Sequence, residues 1–193
     1  MNKDDVITFF DRCAAFWDED MIRNEPVLTK ILDNAGVTPG VEVLDVACGT
    51  GVLIPDYFRR GAASVTGIDI SSEMVRRARD KFPQAEIICA DVEEYAFQRQ
   101  FDVVMVYNAF PHFPEPARLI ACLATLTRPG GRLSVAHGMS RASLAAHHAA
   151  RAQKVSIELL EEHALATLME PWFDVDVIIS DEEMYQVVGV RKA

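Results

Sequence analysis

Three carboxylates in this chain close apolar runs: Asp45 in "VLDVACGTG", Asp69 in "GIDIS" and Asp91 in "CADVEEY". Gly49 and Gly51 follow the first of them at once. Glycines there let the chain turn tightly and let a ligand press against backbone N–H groups. An acid ending the next strand can accept both hydroxyls of a ribose, which makes Asp69 the ribose candidate. Asp45 would repel a pyrophosphate but suits a cationic or amine-bearing ligand. The dinucleotide fingerprint needs a third small residue where Ile54 stands, followed by Pro55, and a P-loop's G-K-[ST] is missing. The pattern therefore predicts an adenosine-like ligand without phosphates. Each acid also has a plain structural reading: Asp45 as a cap for the loop's own N–H groups, Asp69 and Asp91 as caps for the segments after them.

Other side chains could move a proton. His112 follows the fourth strand in "NAFPHF", and His137 ends the fifth in "LSVAHG". His147 and His148 lie in "AAHHAA", where a helix turns them about 100° apart, so at most one faces a pocket squarely. Arg141 could pair with an acidic substrate group. His163 reads as an ordinary helix-surface residue. Phe9, Phe16 and Trp17 sit at helical spacing, which is commonly a core pattern. No Cys/His spacing resembles a metal site. Of the four cysteines, Cys48, Cys89 and Cys122 have apolar neighbours and read as reduced, small hydrophobes.

Positioning these groups requires alternating elements. Strand-like runs fall at 41–47, 63–70, 85–91, 101–108 and 131–138, with helical stretches at 52–61, 71–82 and 116–127. Near-continuous apolar strands are covered on both faces, as in a parallel sheet flanked by helices. Ser71 and Ser72 can start a helix, Gly61 can stop one, and Pro129, Gly130 and Gly131 mark a sharp turn. This is an α/β, Rossmann-like, doubly wound fold. Residues 4–35 read as helical, as do "SRASLAAHHAARAQ" and "SIELLEEHALATLM". "FDVDVIIS" and "EMYQVVGVRK" read as an antiparallel pair joined by an acidic turn.

Composition narrows the partners. The 193 residues carry a net charge of −10, which opposes nucleic-acid binding. No apolar run reaches membrane-span length, and the N-terminus is not patterned as a secretory signal. The expectation is a cytoplasmic protein with a small-molecule partner.

Taken together, "VLDVACGTG", "GIDIS", "ADVEEY", "FDVVMVYNAFPHF" and "LTRPGGRLSVAHG" resemble the class I S-adenosylmethionine-dependent methyltransferases over residues 41 to 138. More narrowly, they resemble the small-molecule enzymes of the ubiquinone/menaquinone-biosynthesis type. The resemblance implies a seven-stranded, mostly parallel sheet in the order 3-2-1-4-5-7-6 with strand 7 antiparallel. It implies one methyltransferase domain over 1–193: a helical lid at 1–35, a cofactor-binding core at 36–138, and C-terminal helices with a strand pair at 139–193. It implies S-adenosyl-L-methionine as cofactor and S-adenosyl-L-homocysteine as product. Asp45, Ala47, Cys48, Gly49 and Gly51 would hold the methionine part, with Asn108 below it. Asp69 would take the ribose, Ile70 would lie against adenine, Asp91 would meet the adenine amine, and Val92 would sit beside it. Phe9, Phe16 or Trp17 would form the lid. His112 and His137 are the catalytic candidates, and Trp17, Arg141 and His147 the substrate candidates. The rivals are a nucleotide-dependent oxidoreductase, disfavoured by Ile54 and the lack of a Tyr-x-x-x-Lys, and a cofactor-binding protein without catalysis. Macromolecular methyl transfer is disfavoured by charge and by "NAFPHF" standing where an "NPPY"-type signature would be.

Overall fold

Short β-branched runs between capped amphipathic helices leave the backbone one economical arrangement, a sheet sandwiched between helical layers. The computed structural model describes residues 2–19, 23–152 and 154–193, with the side chains of 148–151 outside that description. In chain order the elements are α1 (Lys3–Cys13), α2 (Glu25–Asn34), β1 (Glu42–Val46), α3 (Ile54–Arg59), β2 (Ser64–Asp69), α4 (Ser72–Lys81), β3 (Glu86–Cys89) and β4 (Phe101–Tyr107). A 3-10 turn (Phe110–His112) follows, then α5 (Pro116–Leu126), β5 (Thr127–His137), α6 (Arg141–Arg151), α7 (Glu162–Met169), β6 (Phe173–Ser180) and β7 (Tyr185–Arg191). The sheet runs β3-β2-β1-β4-β5-β7-β6, with β7 antiparallel to both neighbours. This is the order the resemblance implied.

Strand alternation splits the core into two layers. Leu44 and Val46 of β1 face α5 and α7, with Leu119, Leu123 and Leu165. Val43 faces α2, α3 and α4, with Ile31, Tyr57 and Val75. Asp45, two residues after Val43, points into that second layer. The helices start where the sequence supplies caps: Ser71 Oγ accepts from Met74 N at 3.2 Å, and Asn24 Oδ1 accepts from Val27 N at 3.3 Å. The sheet changes direction between β1 and β4, so a crevice opens at their carboxyl ends.

Several expectations shift. The helical N-terminus is two helices, because the chain turns after Cys13 through Phe16 N to Cys13 O at 3.1 Å. The helix expected at 52–61 shortens to 54–59, since residues 50–53 are spent on the turn. The fifth strand begins at Thr127, and the Pro129–Gly131 turn is a bulge inside it, opposite Asp102. The helix expected from Ser156 begins only at Glu162. Ile157 N instead donates to Pro111 O at 2.8 Å, and Glu161 caps the helix through Ala164 N at 3.1 Å. Cys48 is buried as expected of a small hydrophobe, whereas Cys89 is exposed at the β3 edge. Among the described residues no helix is long and apolar enough to cross a membrane.

The β7 strand is threaded tightly between β5 and β6. A Cβ on Gly189 would lie 2.7 Å from Phe173 Cβ and 3.2 Å from Met169 Cε. Gly189→Val is therefore expected to cost roughly 1–3 kcal/mol through overpacking, read as a lower thermal midpoint.

Candidate functional site

The crevice widens into a cavity of about 670 Å³, bounded by the ends of β1, β2 and β4 below and by α1 with its following turn above. Its floor is unusual in backbone terms. β1 runs into Ala47 at φ 53° and β4 into Asn108 at φ 54°, the two non-glycine residues with left-handed backbone among the described residues. Such strain concentrates where surrounding structure fixes a site. Asn108 is anchored by its N to Ala136 O at 2.9 Å and by its Oδ1, which accepts from Gly138 N at 3.0 Å.

The glycine loop has two functions. Gly51 has φ 86°, and a Cβ there would meet Ile54 Cδ1 and Phe82 Cδ2 at 2.8 Å, so only glycine makes this turn. Gly49, at φ 55°, faces open space; the atom nearest to a Cβ there would be Trp17 Nε1 at 3.9 Å. A ligand can therefore lie directly on its backbone.

Two acids lie close beneath this loop. Asp69 lines the cavity; its Oδ2 accepts from Gly49 N and its Oδ1 from Ser71 N, both at 2.8 Å. Burial pushes its carboxyl up to about 6 against those donors. Asp45 sits one layer deeper, 3 % exposed, and is not on the cavity wall. Its Oδ2 has no hydrogen-bond partner among the described residues. Burial, and then the Asp69 charge, push Asp45 up to about 8. The nearby Tyr57 hydroxyl eases this but lies outside hydrogen-bond geometry.

The structure brings most of the sequence candidates to the cavity: Ala47, Cys48, Gly49, Asp69, Ile70, Asp91, Val92, Asn108, His112, Trp17 and His147. Asp91 is already engaged, since Lys3 of α1 forms an ion pair with its Oδ2 and reaches Glu94 at 3.2 Å. His112 presents Nδ1 to Val155 O at 2.8 Å. Besides Asp45, three candidates are set elsewhere. His137 faces the core against the Tyr185 ring, 6.1 Å between centroids, because its position on β5 points away from the crevice. Arg141 lies beside Glu158 and Glu162, at 3.9 and 3.8 Å. Gly51 shapes the loop from behind. The side chain of His148 lies outside the described residues.

Among the wall residues that escaped sequence reasoning, Arg23 and Tyr107 border the loop and Asn108. Arg23 is fixed by Val52 O at 2.8 Å, Glu25 Oε1 at 2.8 Å and Asp56 Oδ2 at 2.9 Å. These contacts hold a guanidinium beside the glycine loop, and its only sequence signal was a lone Arg before a helix cap. Tyr107 lines the wall next to Asn108, with Gly138 leaving room for its hydroxyl.

A methyltransferase-domain family model matches residues 43–131, the segment that carries the loop, Asp69, Asp91, Asn108 and His112. Relatives and solved structures that resemble the chain are methyltransferases, among them one solved with bound S-adenosylmethionine. It is 38 % identical over 111 residues to the ubiquinone biosynthesis O-methyltransferase of Aeromonas salmonicida, covering 54 % of this chain and 46 % of that protein. It is 33 % identical over 167 residues to the ribosomal protein L11 methyltransferase of Laribacter hongkongensis, covering 83 % and 47 %. The chain thus spans about half the length of these two curated relatives. The N-methyltransferase NodS of Bradyrhizobium japonicum, solved with S-adenosyl-L-homocysteine, shares the fold at a TM-score of 0.76 and 14 % identity, over 97 % of this chain and 98 % of that one.

The residues of this site fit S-adenosylmethionine, the cofactor that the sequence resemblance implies. The orphaned Oδ2 of Asp45, just behind the wall, favours an incoming ammonium, the open face of Gly49 favours backbone contact, and Asp69 borders the cavity. The raised Asp45 has a signed consequence. The folded protein holds the Asp45 proton between the ordinary carboxylate range and about pH 8. That contribution to stability is complete at acid pH and is lost as pH rises toward 8. Asp45→Asn is therefore expected to raise the ligand-free thermal midpoint at pH 8, by roughly 2–4 °C for each kcal/mol relieved. It should also weaken S-adenosylhomocysteine binding about tenfold, read by calorimetry.

Proposed function

We propose that the protein transfers the methyl of S-adenosylmethionine to a hydroxyl on a small, largely apolar acceptor. The single observation that carries this reading is His112, whose Nδ1 is held on the Val155 carbonyl at 2.8 Å at the edge of the apolar room beyond Asn108. A ring that donates from Nδ1 is the tautomer whose Nε2 accepts protons. The room around it has Phe113, Met139 and Leu144 on its wall, which favours an acceptor with little charge. The identity to an O-methyltransferase of ubiquinone biosynthesis supports the same class of acceptor.

When bound, the cofactor supplies a methyl group activated by a positive sulfur. The protein's own groups then have separable tasks. Asp69 takes the ribose hydroxyls, and Ile70 and Val92 flank the adenine. Asp91 shares its carboxylate between Lys3 and the adenine amine. Arg23 takes the methionine carboxylate, Asp45 balances the amine, and Asn108 closes the floor beneath it. Alignment and exclusion of water do most of the remaining work, and His112 removes the hydroxyl proton. His147, at the outer rim, contacts acceptor.

Of the expected 1–35 lid, α1 and the turn after it act as the lid, while α2 is packed into the core. Asp11 Oδ1 accepts from Ser71 Oγ at 2.5 Å, and Asp18 accepts from Thr50 Oγ1 at 2.5 Å and Lys81 Nζ at 2.9 Å, which ties α1 and its turn across the cofactor half of the crevice. The net charge of −10 supports a small-molecule acceptor in place of nucleic acid or an anionic membrane surface, and the protein acts in the cytoplasm.

A methylation screen with phenols, thiols and amines tests the acceptor class; the phenols should turn over and the amines should not. His112→Gln is expected to lower kcat for the best phenol by about 10²–10⁴, with S-adenosylhomocysteine affinity held within about twofold. Unchanged turnover would remove the proposed base.

A further inference from the structure

We propose that Phe10 and Trp17 select the charged cofactor over its neutral product. The inference rests on the methyltransferase reading and deepens it. Phe10 on α1 and Trp17 in the turn after it both line the cavity. Their rings meet at 72° with centroids 5.6 Å apart, and Phe10 meets the His112 ring at 79° and 4.8 Å. This aromatic corner runs from the glycine loop, where Trp17 Nε1 is the nearest atom to the open face of Gly49, to the acceptor-side histidine.

The choice between substrate and product cofactor has a particular chemistry. The ribose, adenine, amine and carboxylate are common to both, so Asp69, Asp91, Asp45 and Arg23 cannot tell them apart. The two differ by one methyl and one positive charge on sulfur. The carboxylates on the wall, Asp69, Asp91 and Glu93, belong to the β2 and β3 side of the crevice. The other side carries the Phe10 and Trp17 rings, set at 72° to one another, and aromatic rings are what hold a cation in an aromatic cage. Trp17 is 36 % exposed and outside the hydrophobic core clusters, so core packing does not account for its place. A partly exposed cation–π contact is expected to favour the charged form about 3–10-fold. After transfer the sulfur is neutral, and the same rings stop holding it.

Titration calorimetry of the whole chain with S-adenosylmethionine and S-adenosylhomocysteine tests this in the unaltered protein, Phe10→Leu, Phe10→Tyr and the surface variant Trp17→Leu. Both leucine variants should lose about 3–10-fold in affinity for the sulfonium compound, with the product's affinity unchanged within about twofold. Phe10→Tyr, which keeps a ring, should retain the preference. Equal weakening of both ligands, or an unaltered ratio in both leucine variants, overturns the proposal while leaving the methyltransferase reading standing. Failure of the unaltered protein to bind either compound overturns both.

Discussion

A buried carboxylate oxygen without a hydrogen-bond partner is expensive to keep, and Asp45 Oδ2 is such an atom, near the centre of the sheet. Its position follows from strand alternation alone: Val43 and Asp45 share a face of β1, and that face is covered by α2, α3 and α4. The fold thus carries negative potential under the glycine loop, relieved in the ligand-free protein by holding a proton. A ligand bearing an ammonium group restores the charge and gains from it. A diphosphate would face Asp45 and Asp69 together with no compensating lysine in the loop.

Around that charge the chain spends backbone strain to hold an open floor. Ala47 and Asn108 end adjacent strands in left-handed conformation, and Gly51 makes a turn that a side chain would block. The roof is tied down differently, by side chains on α1 and its turn reaching Asp91, Ser71, Thr50 and Lys81. Floor and roof are thus built on different physics. The floor is fixed by the sheet, whereas the roof is held by polar contacts that water and salt can weaken.

Much of this was legible in the residues. Apolar strand runs, capped helices and the C-terminal alternation carry the sheet, and Asp45, the glycines and Asp69 carry the ligand class, because their constraints are local. What was not legible depends on long-range contacts. His137 ends a strand as His112 nearly does, yet β5 turns it to the core beside Tyr185, a matter of facing that neighbouring strands decide. Arg141 is matched with glutamates from the α7 region that no spacing rule brings to it. The helix anticipated from Ser156 gives way because Ile157 and Val155 bond to the 3-10 turn instead. Arg23 was invisible because its role depends on Val52, Glu25 and Asp56 fixing one guanidinium at the loop.

The most direct measurement is proton exchange on binding. Calorimetric titration of S-adenosylhomocysteine at pH 7, repeated in buffers of differing ionisation heat, counts protons released as the ligand enters. Release of about one proton per site is expected at pH 7, fading toward none above pH 9, as the ammonium group drives Asp45 to ionise. Binding with no proton released at either pH, or binding of a pyridine dinucleotide in preference, would contradict it.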